Sequence, residues 1–342
     1  MQNSPKFSII VPAYNAQRTI LRCLNSVLSQ TEPNFEVIVI DDGSNDDTLK
    51  IVKRIDDERI SLLEIKNSGP GVARNIGLDK AKGEWVFCLD ADDFVDESLL
   101  EKVGRSISKS VDVVLLNFAT FNEECKTKFP AGWSYRNTKV FKDDSKTVFT
   151  YDGNENLFFD TVQSIPWNKV VRRSLLSDNK IKFSEIYLSE DMMYSFPACI
   201  LAKRIIRLRE PLVFHSEYSG VSSMDKKNEH PLDFLQALAE LKGFLIKRGK
   251  LDVFREAYFN WTLQSLSYNL FSHNDEIARA LQIEECMEIL PELIEKDFDS
   301  IRFVENENGH SRCKKQTMIS WFARTKLGFS ILDKTIHAAR RI

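Results

Sequence analysis

Residues 35–44 read Phe35-Glu36-Val37-Ile38-Val39-Ile40-Asp41-Asp42-Gly43-Ser44, an apolar run that stops on two carboxylates and a glycine. Strands covered on both faces read as near-continuous apolar runs of this kind. In open parallel sheets, ligands bind beyond the carboxyl ends of such strands. The same grammar occurs upstream, where the apolar residues 7–11 close on Pro12-Ala13-Tyr14-Asn15. Residues 16–29 then carry Ile20, Leu21, Leu24, Val27 and Leu28 at helical spacing.

It recurs downstream. Leu49, Ile51, Val52 and Ile55 follow a helix cap expected at Ser44 or Asn45. Residues 60–65 are a third run, Gly69-Pro70-Gly71 turns the chain, and a helix is predicted over 72–81. A fourth run, 85–89, ends in Asp90-Ala91-Asp92-Asp93. Alternating strands and helices with short connections predict an α/β fold with a doubly wound, mostly parallel sheet. A helix over 97–107 and a strand over 111–118 extend it, and the regular alternation stops in residues 121–221. Beyond Pro231 long helical patterns take over, at 232–246, 253–270 and 277–293, so a boundary is expected near residue 225. Residues 1–225 would form the sheet domain and 226–342 a helical C-terminal region.

The 342 residues carry 47 basic and 50 acidic side chains, a net charge of −3. That balance argues against a general nucleic-acid binder, which needs a basic surface to displace counterions. The six cysteines lie far apart with no C-x-x-C pair, which reads as reduced thiols in a cytosolic protein. The N-terminus lacks a signal-peptide pattern, and no run reaches the ~18 apolar residues that a membrane span needs. Neither G-x-G-x-x-G nor a Walker lysine loop is present, which disfavours a dehydrogenase or an NTPase.

Asp41-Asp42-Gly43-Ser44 and Tyr14-Asn15 would, taken singly, pass for turns and caps. Three carboxylates among four residues in Asp90 to Asp93 are different, because like charges this close repel unless a cation relieves them. In an extended segment Asp90 and Asp92 would point one way and Asp93 the other. Hard divalent ions bound to phosphate use few carboxylates and several waters, which suits this cluster.

Together these blocks resemble the family 2 glycosyltransferases: residues 7–15, Ser29-Gln30-Thr31, residues 37–44, Gly71-Val72-Ala73-Arg74-Asn75-Ile76-Gly77, and residues 83–93. The resemblance covers about the first hundred residues in family order. It implies a GT-A fold, a nucleotide-diphosphate sugar donor, UDP being the common nucleotide, and a Mn²⁺ or Mg²⁺ ion. By position, Pro12, Tyr14 and Asn15 would line the base pocket and Asp42 would bond the base. Arg74 and Asn75 would line the donor site. Asp92, with Asp90, would hold the metal, and Asp90, Ala91 and Asp93 would sit near ribose or sugar. Inverting transfer also needs a base, which in this family begins a later helix; Glu190-Asp191, ahead of Met192, Met193, Phe196 and Ile200, resembles that motif. Asp191 is the first choice and Glu190 the second. Residues 166–170, Pro166-Trp167-Asn168-Lys169-Val170, resemble the acceptor-side segment, with Trp167 either a sugar-stacking ring or core.

The chain lacks the Q-x-x-R-W sequence of processive relatives, so transfer of a single sugar to a glycan or lipid-linked hydroxyl is expected. One departure stands out in residues 211–220: Ser216 and Tyr218 occupy positions where relatives carry basic groups, with His215 as a candidate phosphate contact. That departure supports a competing reading, a non-catalytic nucleotide-sugar-binding or scaffold protein. The basic end from about Ser311 places Phe322, Phe329, Leu332 and Ile336 on one helical face. Such a helix would either lie peripherally on the inner face of the membrane or pack on the protein itself.

Overall fold

A computed structural model describes residues 4–122, 126–130, 148–149, 155–217 and 229–272. The chain divides into two compact units, Met1–Phe254 and Arg255–Ile342. Within the second unit, the described residues 255–272 are helical.

The first unit opens as the apolar runs predict. Strands β1 (Phe7–Ala13), β2 (Phe35–Asp41) and β3 (Ile60–Glu64) alternate with helices α1 (Ile20–Leu28), α2 (Thr48–Lys53) and α3 (Pro70–Lys80), followed by β4 (Trp85–Cys88). These strands pair in parallel in the order β3-β2-β1-β4, with Ile10 opposite both Ile38 and Cys88. Side chains alternate across a strand, and that decides what covers each face. Ile9, Val11, Val37, Val39 and Phe87 join Ile20, Cys23, Leu24 and Val27 of α1 in one core. On the other face Ile10 and Ile40 meet Gly77 of α3, where an added Cβ would lie 2.4 Å from Ile10 Cγ2. Glycine there lets α3 lie close on the sheet.

Beyond β4 come β5 (Phe94–Val95), α4 (Leu99–Ser106), β6 (Val113–Asn122), β7 (Thr127–Pro130), β8 (Val148–Phe149) and α5 (Phe158–Thr161). Then follow β9 (Lys169–Arg172), α6 (Arg173–Asn179), α7 (Met192–Leu201), β10 (Ile205–Glu217), α8 (Asp233–Lys247) and α9 (Leu251–Ser272). The sheet continues as β4-β9-β6-β10-β5. β9 runs antiparallel to both β4 and β6, whereas β6 and β10 are parallel. β10 shifts register between Arg207 and Val213, around Pro211, a residue with no N–H to give to a ladder.

One local expectation changes. α2 begins at Thr48 with Asp47 at its cap, not at Ser44 or Asn45. Those two residues are engaged elsewhere: Ser44 Oγ accepts the Asn15 N–H at 3.0 Å, and the Asn45 N–H donates to Asn15 Oδ1 at 2.8 Å. The segments 277–293 and 311–342 lie outside the described residues. Among the described residues, no helix is long and apolar enough to cross a membrane.

Candidate active site

The loops after β1, β2 and β4 emerge from adjacent parallel strands and share one rim. Asn15 (φ +50°) ties the first loop to the second through the two bonds just given. Gly43 takes φ +71°, and a Cβ there would sit 2.8 Å from the Asn67 backbone nitrogen. Asp42 is buried and accepts the Ser68 N–H at 2.7 Å and the Gly69 N–H at 2.9 Å, which sets the turn into α3. Burial raises its pKa while those two donors lower it. Tyr14 stands out from the rim at 38% exposure, and Pro12 is half-buried beside it.

Asp90, Asp92 and Asp93 bring carboxylate oxygens within 4.8 Å of one another. Their convergence overturns the alternation expected from an extended strand. The Asp93 N–H bonds back to the Asp90 carbonyl at 3.1 Å, and this turn swings Asp93 toward its neighbours. Asp93 is buried and bonded by His215 Nδ1 at 3.0 Å and by the Ser216 N–H at 2.9 Å. Burial would depress His215, but bonding to Asp93 and that group's charge carry its pKa up to about 9. Trp167, nearly fully buried, stacks on the His215 ring at 4.8 Å and edges against Phe118, so it is core rather than an open platform. Crowding by surrounding protein, then the charges of Asp93 and Asp90, push Asp92 to about 7. An oxygen-only group with this mutual repulsion fits a hard divalent cation. Ala91 is buried between these acids.

Arg74 joins this group to the second acidic pair. Its guanidinium bonds Asp90 Oδ1 and Glu190 Oε1, each at 2.6 Å. Burial disfavours its charge, but the two carboxylates more than offset that and raise its pKa. Burial likewise raises Glu190, and Arg74 pulls it back. Asp191 caps α7 without any side-chain capping bond. Burial, then the charge of Glu190, lift its pKa to about 8, against Arg74 and Lys169. Ser189, just before them, sits at φ +65°, an uncommon conformation for a residue with a Cβ. Gly71 lets this segment approach, since a Cβ there would lie 2.3 Å from the Ser184 carbonyl oxygen. Asn75 holds the same segment, with its side chain bonded to both the N–H and the C=O of Phe183.

Arg22 was not singled out by sequence, yet it belongs to the site. From α1 it donates to the Asp92 carbonyl and to Ser216 Oγ, both at 2.8 Å, and lies over the rings of Phe94 and Phe121. It brings a cation to the loop that lacks the family's basic residues. No local pattern in α1 signals this, because its partners lie 70 and 194 residues away.

The model of the family described as glycosyl transferase family 2 matches residues 8–179. Poly(ribitol-phosphate) beta-N-acetylglucosaminyltransferase TarS of Staphylococcus aureus strain Mu50 is 30% identical over 240 residues, 68% of this chain and 39% of TarS. The chain thus spans well under half of that relative. A crystal structure of S. aureus TarS 1-349 in complex with UDP-GlcNAc superposes with TM-score 0.58 and 25% identity, covering 87% of this chain and 74% of that one. Mannosyltransferase PcManGT from Pyrobaculum calidifontis, in complex with GDP-Man and Mn²⁺, gives TM-score 0.51 at 18% identity over 84% and 81% of the chains. The expected GT-A layout is the one these neighbours share.

Proposed function

Because the chain belongs to glycosyl transferase family 2, we propose that it is an inverting glycosyltransferase that moves one sugar from a UDP-sugar to a hydroxyl of a glycan or lipid-linked acceptor. The observation that carries this reading is the Arg74 bridge. It joins the Asp90–Asp92–Asp93 group, suited to the diphosphate side, to the Glu190–Asp191 pair, suited to the acceptor side. The UDP-GlcNAc complex of TarS supports UDP as the nucleotide, and the Mn²⁺ of PcManGT supports a metal in this fold. We assign cytoplasmic placement to the enzyme; the basic end from about Ser311, outside the described residues, would either lie on the inner face of the membrane or pack on the protein itself.

Pro12, Tyr14 and Asn15, at the edge of the rim, receive the base together with Asp42. Asp92 and Asp90 would hold the Mn²⁺ or Mg²⁺ ion, with Asp93 behind them. A divalent cation held there would neutralise charge on the departing diphosphate. Asp191 accepts the acceptor's hydroxyl proton as that oxygen bonds to the anomeric carbon. The bond from that carbon to the diphosphate breaks, and the nucleoside diphosphate leaves with the electron pair. Glu190 is held by Arg74, which leaves Asp191 as the base. Ser216 binds both Asp93 and Arg22, so the departure at Ser216 in residues 211–220 leaves a cation beside the acids, which supports the catalytic reading; Tyr218 lies outside the described residues.

A thermal-shift panel of UDP-, GDP- and dTDP-sugars with Mn²⁺ tests the donor assignment. UDP-sugars are expected to stabilise the protein, and Asp92→Ala is expected to remove the metal-dependent part. Stabilisation by GDP- or dTDP-sugars alone would overturn UDP.

A further inference from the structure

The segment 183–191 ends in the acid pair, and two helices hold it. From α3, the Asn75 side chain bonds both the N–H and the C=O of Phe183, and Arg74 bonds Glu190. The Ser184 N–H donates to the Glu190 carbonyl at 3.1 Å, which closes residues 184–190 into a loop. The far side of that loop belongs to α8. Asp233, the first residue of α8, accepts the Tyr187 N–H at 2.8 Å and the Leu188 N–H at 2.9 Å on Oδ2. Further along the helix, Glu240 accepts the Ser184 hydroxyl and is itself bonded by Gln236 at 2.8 Å. Just ahead of the helix, the His230 ring stacks on Tyr187 with centroids 4.5 Å apart.

Two helical turns separate Asp233 from Glu240, so the two carboxylates share one face of α8. The helix is anchored by its apolar side, where Phe234, Leu235, Ala237, Leu238, Leu241 and Leu245 are buried. It lies in the same compact unit as the sheet. A carboxylate at a helix N-terminus sits where the dipole favours an anion, and its bonds to N–H groups are charge-assisted. Ser189 falls between Leu188, fixed by Asp233, and Glu190, fixed by Arg74, and it takes φ +65°. Such a backbone persists only where its surroundings determine it. Here they do so from both sides.

We infer that Asp233 is a positioning residue: from the head of α8 it fixes the loop 184–190 and thereby the place of the Glu190–Asp191 pair. The loop-fixing part rests on the hydrogen bonds; the catalytic consequence rests on the reading of Asp191 as the base. Asp233 acts through the backbone of the loop.

Amide hydrogen exchange of the full chain, followed by ¹⁵N NMR, tests it. In Asp233→Ala the Tyr187 and Leu188 amides lose their acceptor, and their exchange is expected to speed up by about tenfold, as loss of a hydrogen bond to a charged group implies. The deciding probe is the Ser184 amide, which bonds to Glu190 rather than to Asp233. It is expected to speed up as well, because its bond depends on the loop, while the amides of β1 keep wild-type rates. Asp233→Asn serves if Asp233→Ala does not fold: it weakens the bonds without removing the acceptor and is expected to give the same pattern at smaller size. A folded variant with Ser184 still protected as in wild type would overturn the inference. In UDP release from UDP-sugars with Mn²⁺ and a glycan acceptor, kcat of Asp233→Ala is expected to fall on the order of 10- to 100-fold, with UDP affinity by calorimetry unchanged. Where Asp191→Asn abolishes transfer, a wild-type kcat in the opened variant would overturn the catalytic consequence. Full sugar transfer by Asp191→Asn would instead remove the base reading and leave the exchange result standing, so the two failures are distinguishable.

Discussion

Asp191 has to be ionised to take a proton, and its surroundings make that difficult. Burial and Glu190 raise its pKa to about 8, so on the proposed assignment the protonated form, unable to act as base, is expected to prevail below that pH. The kcat/KM profile is therefore expected to fall on the acid side with a midpoint near 8, and a midpoint near 4 would contradict the assignment. Arg22 makes a separate prediction. Arg22→Met removes the bonds to the Asp92 carbonyl and Ser216 Oγ while leaving all three acids in place. Mn²⁺ affinity, measured by calorimetry, is expected to drop by roughly tenfold, in line with outer-shell partners of metal sites, with Arg22→Lys intermediate. The acids themselves were legible in the sequence because they follow apolar runs. Arg22 was not, because long-range hydrogen bonds leave no periodic trace. The orientation of Asp93 was misread for a different reason: a turn replaced the strand on which alternation depends.

Among the elements, α3 is the most constrained. It starts at Pro70, whose missing N–H is no loss at a first helical position. It then lies on the sheet through glycine while turning Arg74 toward the acids. Gly77→Ala would push a methyl into Ile10 on β1. Overpacking of this kind costs about 1–3 kcal/mol, so chemical denaturation is expected to show a loss of that size. An unchanged midpoint would mean that the helix can lift off without penalty. The parallel half of the sheet was readable from period and punctuation. β9 was not, because its four residues sit in an irregular stretch and gain strand character only by filling the gap between β4 and β6.

For the whole molecule, the topology brings residues 12–15, 42, 74, 90–93 and 190–191 to the neighbourhood of one sheet rim. Residues 12–15, 42 and 90–93 were recognisable by their place after strands, and Arg74 through the resemblance. Residues 190–191 depended on the resemblance alone, and the structure adds the Arg74 bridge that links them to the others. On the proposed reading this assembly transfers sugar, with Asp191 as the base. Nucleoside diphosphate released from a panel of UDP-, GDP- and dTDP-sugars, with Mn²⁺ and a mixed glycan acceptor set, measures it directly. Wild-type protein is predicted to release UDP, and Asp191→Asn to release it on the order of 100- to 10,000-fold more slowly while still binding the nucleotide. Equal rates for Asp191→Asn and wild type would contradict the claim.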